Sequence, residues 1–325
     1  MRGSRSRQTG HLIRRFRPGD DEGLADLMRP LVLLEEVVTS EQLLHKWRVM
    51  PRRAKPLWLV AHDGETLIGH ALVEPQIFGG RRGLRRIWVG VAPSHRERGL
   101  GGRLFDEAAA HATASGATRL KSWGRADIPE GVRFLKARGF VRTFTERQST
   151  IEPRKAPFGD FDFRIKAAAA EGFRLVPLSR LVGLELPLYR LFMEAANDAP
   201  HDTGGQKVSL ATWRRFILDN PVLNRDGSFV VLQEDEPVSL CWLLVDHSTG
   251  WAAHEFTGTA RAFRHRGLGR LVKLAALWWA ADNGISGIGT ANDSTNRDML
   301  AINRHLGYRR GPDGYGYQRD ASHPG

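Results

Sequence analysis

Arg96-Glu97-Arg98-Gly99-Leu100-Gly101 and Arg264-His265-Arg266-Gly267-Leu268-Gly269 are two copies of one pattern, 168 positions apart in a chain of 325 residues. Each copy is followed, 38 residues after its last glycine, by a glycine–aromatic pair, Gly139-Phe140 and Gly307-Tyr308. One glycine-rich hexapeptide is a weak signal. Two in matched context mark a duplicated domain. Apolar strand-like segments precede both copies (LRRIWVGVAP and WAAHEFTGT), and helix-forming segments follow them (GRLFDEAAAHATA and LGRLVKLAALWWAADNG). A strand, a glycine turn and a helix N-terminus leave backbone N–H groups without intrahelical partners, aimed at one spot where the helix dipole favours negative charge. The pattern therefore points to a phosphate-bearing ligand. It lacks the Lys-Ser/Thr of a P-loop and the third glycine and downstream acid of a dinucleotide fold.

Working outward, both halves read β-α-α-β-β-β-α-β-α-β. Hairpin strands next to crossover helices predict an α/β fold with a mixed sheet and helices on both faces. The expected boundaries are a disordered tail at 1–10, an N-terminal domain at 11–152, a linker at 153–172 and a C-terminal domain at 173–320.

Composition narrows the function classes. The net charge is +12, carried by 40 arginines and only 8 lysines. The arginines are scattered, as at Arg14-Arg15, Arg52-Arg53, Arg214-Arg215 and Arg309-Arg310, which argues against nucleic acid as a partner. No zinc-binding spacing occurs, and no metal is expected. No run of 18 apolar residues exists, so no transmembrane helix is expected. The first ten residues have charge but no apolar stretch, unlike a secretory signal. The one cysteine, Cys241, lies in an apolar run and reads as a buried thiol. A cytoplasmic location is the expectation, and the sequence carries no signal for an oligomeric state.

The stretch Val91-Ala92-Pro93-Ser94-His95-Arg96-Glu97-Arg98-Gly99-Leu100-Gly101 resembles the acetyl-CoA motif of the GNAT N-acetyltransferases. The second half, residues 257–273 (TGTARAFRHRGLGRLVK) followed by 290–308 (TANDSTNRDMLAINRHLGY), resembles the C-terminal half of bacterial tandem-GNAT proteins. The resemblance spans roughly residues 11–152 and 173–318. It implies two tandem GNAT folds with acetyl-CoA as cosubstrate. Backbone groups of Val89 and Val91, or of Thr257 and Thr259, would bond the pantetheine arm. Arg96, Arg98, Gly99, Gly101 and Gly102, and in the second half Arg264, Arg266, Gly267, Gly269 and Arg270, would hold the pyrophosphate. Asn296 matches the family's cofactor-contacting asparagine, with helix-start capping as the other reading.

The family's acid on the strand before the loop is matched by Glu255, read as general base or as a carboxylate paired to an arginine. Simple alternation places it on one face with Thr257 and Thr259, His254 on the other, and makes Ile87 its first-half equivalent. Where the family usually has a tyrosine that protonates the departing thiolate, this chain has Leu135 and Asn303. Asn303 can donate a hydrogen bond but is a poor acid, so Tyr189, Tyr308 or water are the substitutes considered. Glu194, Asp198, His201 and Asp202 could meet a cationic acceptor. The implied activity is transfer of acetyl from acetyl-CoA to a primary amine of a small molecule, by direct attack in a ternary complex. The alternative is an acyl-CoA-binding or regulatory protein in which one or both halves are catalytically weak.

Overall fold

A computed structural model describes residues 11–79, 83–200, 205 and 207–322. The expected tail, and His201 and Asp202, lie outside the described residues. The first half runs β1 (Leu12–Arg15), α1 (Asp21–Met28), α2 (Ser40–Val49), β2 (Leu57–Asp63), β3 (Thr66–Pro75), β4 (Leu84–Val91), α3 (Leu100–Ala114), β5 (Arg119–Arg125), α4 (Pro129–Ala137) and β6 (Val141–Ile151). The connection carries a helix, α5 (Phe161–Ala170). The second half then repeats the order: β7 (Phe173–Pro177), α6 (Glu185–Asp198), α7 (Leu210–Trp213), β8 (Phe229–Gln233), β9 (Glu236–Asp246), β10 (Trp251–Thr259), α8 (Leu268–Asp282), β11 (Gly287–Asp293), α9 (Arg297–His305), β12 (Arg309–Arg310) and β13 (Gly314–Asp320).

Local chemistry accounts for these elements. Thr39 caps α2 by accepting from the Gln42 N–H, as short hydroxyl side chains do at helix starts. On α3, Leu100, Leu104, Phe105, Ala108 and Ala112 form a buried stripe at helical spacing. The linker packs more firmly than its mixed composition suggests: Phe161 of α5 is buried and lies against Trp278 of α8.

Among the described residues all strands join one 13-stranded mixed sheet, ordered β1-β2-β3-β4-β5-β13-β6-β11-β10-β9-β8-β7, with β12 attached to β6. The order shows a reciprocal exchange. The C-terminal strand β13 inserts between β5 and β6, and the far end of β6 pairs with β11 of the second half. The registers coincide under the sequence repeat: Leu120 faces Arg319 and Ile288 faces Ile151. Each half's sheet is thus completed by the other's last strand. One apolar cluster lies under α3 and another under α8, with two more beneath α1–α2 and α6–α7.

Candidate active site

Two grooves open in this sheet. The parallel pairing of β4 with β5 covers only Leu84–Arg86, and that of β10 with β11 only Trp251–Ala253. Beyond these points the strands part. Val89 and Val91, and Thr257 and Thr259, lie on the separated stretches. A strand edge without a neighbour can hydrogen-bond an extended arm laid beside it.

At the end of each groove the repeated loop has one conformation. Glu97 and Gly99 have φ of 59° and 82°, and His265 and Gly267 have φ of 62° and 76°. Alternating left-handed residues turn successive N–H groups into one concavity, a cradle for anions. Nothing stands within 4 Å of a Cβ built at Gly99 or Gly267, so the positive φ of the N-cap, not lack of room, calls for glycine there.

The two grooves differ in their surroundings. The first holds a cavity of about 580 Å³ whose lining includes Val89, Val91, Trp123, Phe134, Leu135 and Arg138. Gly99, Gly101 and Gly102 line the end of it that meets the repeated loop. Arg98 makes no ion pair among the described residues. Arg96 is committed elsewhere: its Nε donates to the Val91 carbonyl at 3.1 Å and its guanidinium pairs with Glu130. Arg264 repeats the tie, donating to the Thr259 carbonyl at 3.2 Å and pairing with Asp198 at 2.5 Å. In the second half the remaining loop arginines also face carboxylates, Arg266 at 3.8 Å from Glu171 and Arg270 at 3.8 Å from Asp160.

Glu255 does not obey simple alternation. The pairing of β10 with β9 slips between His254 and Phe256, so Glu255 is the extra residue of a β-bulge. Two consecutive residues, Glu255 and Phe256, therefore share the α6 side of the sheet, where they line a cleft with Phe192 and Ala196. His254 and Thr257 fall on the α8 side, bonded to Tyr308 Oη (2.6 Å) and Cys241 Sγ (3.4 Å). The expected grouping of Glu255 with Thr257 and Thr259 is thus corrected. So is its equivalence to Ile87. Leu84 lies opposite Arg119 and Trp251 opposite Gly287, which aligns Ile87 with His254 and leaves Glu255 without a first-half counterpart.

Glu255 belongs to a group of carboxylates between the halves. The loop joining α1 to α2 brings Glu35 and Glu36 there, anchored where Leu34 N–H donates to Gln148 and Trp251 Nε1 donates to the Leu34 carbonyl. Burial, reinforced by Glu146 and Glu36, holds the Glu35 carboxyl well above the carboxylate range. Burial likewise pushes Glu36 up to about 7, against the pull of Arg86 and Lys46. Glu255 is raised by the protein around it and drawn back by the same two cations, although its own side chain opens onto the cleft. It has no hydrogen-bond or ion-pair partner among the described residues.

Residues 25–140 match the acetyltransferase (GNAT) family. The match lies within the first half of the chain, and the chain is an acyltransferase of the GNAT type. A mycothiol acetyltransferase of Kytococcus sedentarius is 25% identical over 299 residues, covering 90% of this chain and 92% of that protein. A tandem GNAT protein from the clavulanic acid biosynthesis pathway superposes over 97% of this chain and 100% of its own, with a TM-score of 0.75 at 20% identity. A GCN5-related N-acetyltransferase from Sphaerobacter thermophilus does so over 97% and 96%, with a TM-score of 0.64 at 17% identity. The tandem GNAT architecture is thus shared over the whole length.

Within this GNAT frame the other expected residues take up varied roles. Asn296 caps α9, its Oδ1 accepting from the Met299 N–H at 3.3 Å. Asn303 is buried, donates to Asn292 at 2.7 Å and leaves its own Oδ1 without a partner. Leu135 lines the first cavity. Neither alternative tyrosine is free: Tyr189 donates to the Val208 carbonyl at 2.7 Å, and Tyr308 is bonded to His254 inside the core. Glu194 accepts from the Arg261 N–H, and Asp198 pairs with Arg261 and Arg264.

Sequence reasoning missed Lys273, which replaces the first half's Phe105 under the repeat. It is buried, lies 5.1 Å from the Tyr308 ring centroid and is pulled down to about 8 by desolvation. The apolar composition around it hid a polar core. Among the described residues no cluster of His, Cys, Asp and Glu could hold a metal, and no helix is long and apolar enough to cross a membrane.

Proposed function

We propose that the chain moves an acetyl group from acetyl-CoA to the primary amine of a small molecule, with the second half carrying the chemistry. The observation that carries this reading is Glu255: an unpartnered carboxylate, raised in pKa, at the bulge beside the separated strands. A carboxylate held above its ordinary range is the better suited to take a proton from an ammonium. The neutral amine then attacks the thioester carbonyl. The tetrahedral oxyanion meets a backbone N–H freed where β10 leaves β11. As the C–S bond breaks, the second N–H of Asn303 can donate to the leaving sulfur, and the thiolate takes its proton from water.

The anion cradle, the free strand edge and the cavity fit an extended thioester arm ending in phosphates. In this reading the backbone N–H groups around Gly99 and Gly267 receive the pyrophosphate, and Arg98 adds charge. Arg96 and Arg264 hold the strand end against the loop. Asn296 acts through its cap on α9.

A second reading places turnover in the first half, and the 580 Å³ cavity there favours it. The two readings share the reaction. Incubation of the full chain with acetyl-CoA and an amine panel tests it, following thiol release and N-acetyl product by mass. Product with free CoA in equal amounts is expected. Thiol release without N-acetyl product would replace transfer by hydrolysis.

A further inference from the structure

A second cavity, of about 250 Å³, lies on the α6 side of β10. Its wall is drawn from both halves: Phe78 from the loop after β3, Phe192, Ala196 and Ala199 from α6 and its end, Ile217 from the turn after α7, and Phe256 beside the bulge. Among the described residues Glu255 is its only ionisable lining group. The aromatic rings are mutually braced. Phe192 and Phe256 stand 4.6 Å apart between centroids, and Phe78 meets Phe192 edge-on at 6.0 Å and Phe216 at 6.2 Å. Such packing fixes the shape of the wall before any ligand arrives.

These features define a ligand. An unpartnered carboxylate among aromatic and aliphatic walls selects one cationic group, because any other polar group would lose its hydration without replacement. The groups that face Glu255 from the packed elements reinforce this. Glu35 and Glu36 come from the α1–α2 loop, opposed by Arg86 of β4 and Lys46 of α2. The volume falls below the roughly 300–1,000 Å³ of drug-sized ligand sites, which leaves space for one ring or a short branched chain. A sugar or another polyol would bring hydroxyls against a wall that offers them no partners.

We infer that this cavity is the acceptor pocket and that it takes a primary amine carried on a compact apolar body, an aryl-alkyl or branched alkyl amine. The inference rests on the acetyl-transfer reading for its role, but its ligand class can be read without turnover. The ammonium sits at Glu255 and the apolar body lies between Phe192, Phe256 and Phe78. Phe78 makes the pocket a property of both halves, since the first half supplies one wall of a site whose base belongs to the second.

The test is calorimetric binding of 2-phenylethylamine, 2-phenylethanol and glucosamine to the full chain, together with its Ala199→Trp and Glu255→Gln variants. Thiol release is followed in parallel. Ala199 is only partly buried and follows the end of α6, so a tryptophan there fills the cavity without entering the core. The expected result is that 2-phenylethylamine binds at least about tenfold more tightly than glucosamine. Ala199→Trp removes that binding, and Glu255→Gln erases the preference for the amine over the alcohol. Equal or tighter binding of glucosamine, or unchanged 2-phenylethylamine binding in Ala199→Trp, would overturn the inference. Selective binding without acetyl transfer would uphold the pocket and sink the acetyl-transfer reading instead.

Discussion

Leu120 of β5 pairs with Arg319 of β13, 199 positions later in the chain, in the register that joins Ile288 to Ile151. The pairing makes each half dependent on the other for an interior strand. A sheet missing such a strand exposes backbone groups and apolar side chains. Residues 1–152 and 153–325 expressed separately should therefore fail to melt cooperatively, and the two expressed together should co-purify as one folded complex. Size-exclusion chromatography with circular dichroism checks this. A monomeric, cooperatively melting first half would contradict it.

Glu255→Gln keeps the size of the side chain and removes the proposed base. We expect kcat to fall by about 10²-fold or more, with little change in the melting temperature. The raised pKa of Glu255 implies that wild-type kcat climbs with pH through a limb above the ordinary carboxylate range, as the base loses its proton. That limb should vanish in the variant. A full pH–rate profile of both proteins decides the point.

Glu36 carries a stability signature. Its folded pKa of about 7 lies above the unfolded value, so the folded state binds more protons between these values and stability falls as pH rises across that window. Below it the group is neutral in both states and imposes no cost. Glu36→Gln should gain stability over wild type at pH 8 and little at pH 4.5, a difference on the order of 1–2 kcal/mol after allowing for partial solvent access. Urea midpoints at the two pH values measure it.

Arg96 tests the tie between strand and loop. It spans the Val91 carbonyl and Glu130, a planar fork that lysine cannot reproduce. Arg96→Lys should lower thermal stability by about 1–2 kcal/mol and weaken acetyl-CoA binding, because the cradle loses its anchor rather than a phosphate ligand. An unchanged melting curve with lost affinity would instead make Arg96 a direct contact.

The duplication was legible in the chain because the left-handed turns at Gly99 and Gly267 need glycine, and need it at the same place in both copies. The element order was legible for a similar local reason: caps and periodic apolar faces are written within a few residues of where they act. The bulge was not. An extra residue in β10 leaves the apolar pattern intact, so alternation misassigned the face of Glu255 and paired it with Ile87. The strand exchange was equally hidden, since β6 and β13 carry the same local signals whichever sheet completes them. Nor did composition reveal that Asp198, Asp160 and Glu171 would stand against the second loop's arginines, contacts made across 63 to 110 residues of chain.

Turnover is proposed to occur in the second half. Gly101 and Gly269 occupy equivalent helical positions next to the anion cradles, without left-handed φ, and a Cβ at either meets only ordinary contacts at 3.4 Å or more. A glutamate there places a negative charge where the pyrophosphate is expected. Steady-state acetyl transfer by Gly101→Glu and Gly269→Glu, both confirmed as folded, is the most direct measurement. Gly269→Glu should abolish transfer while Gly101→Glu retains it. Transfer lost in Gly101→Glu and kept in Gly269→Glu would contradict that proposal.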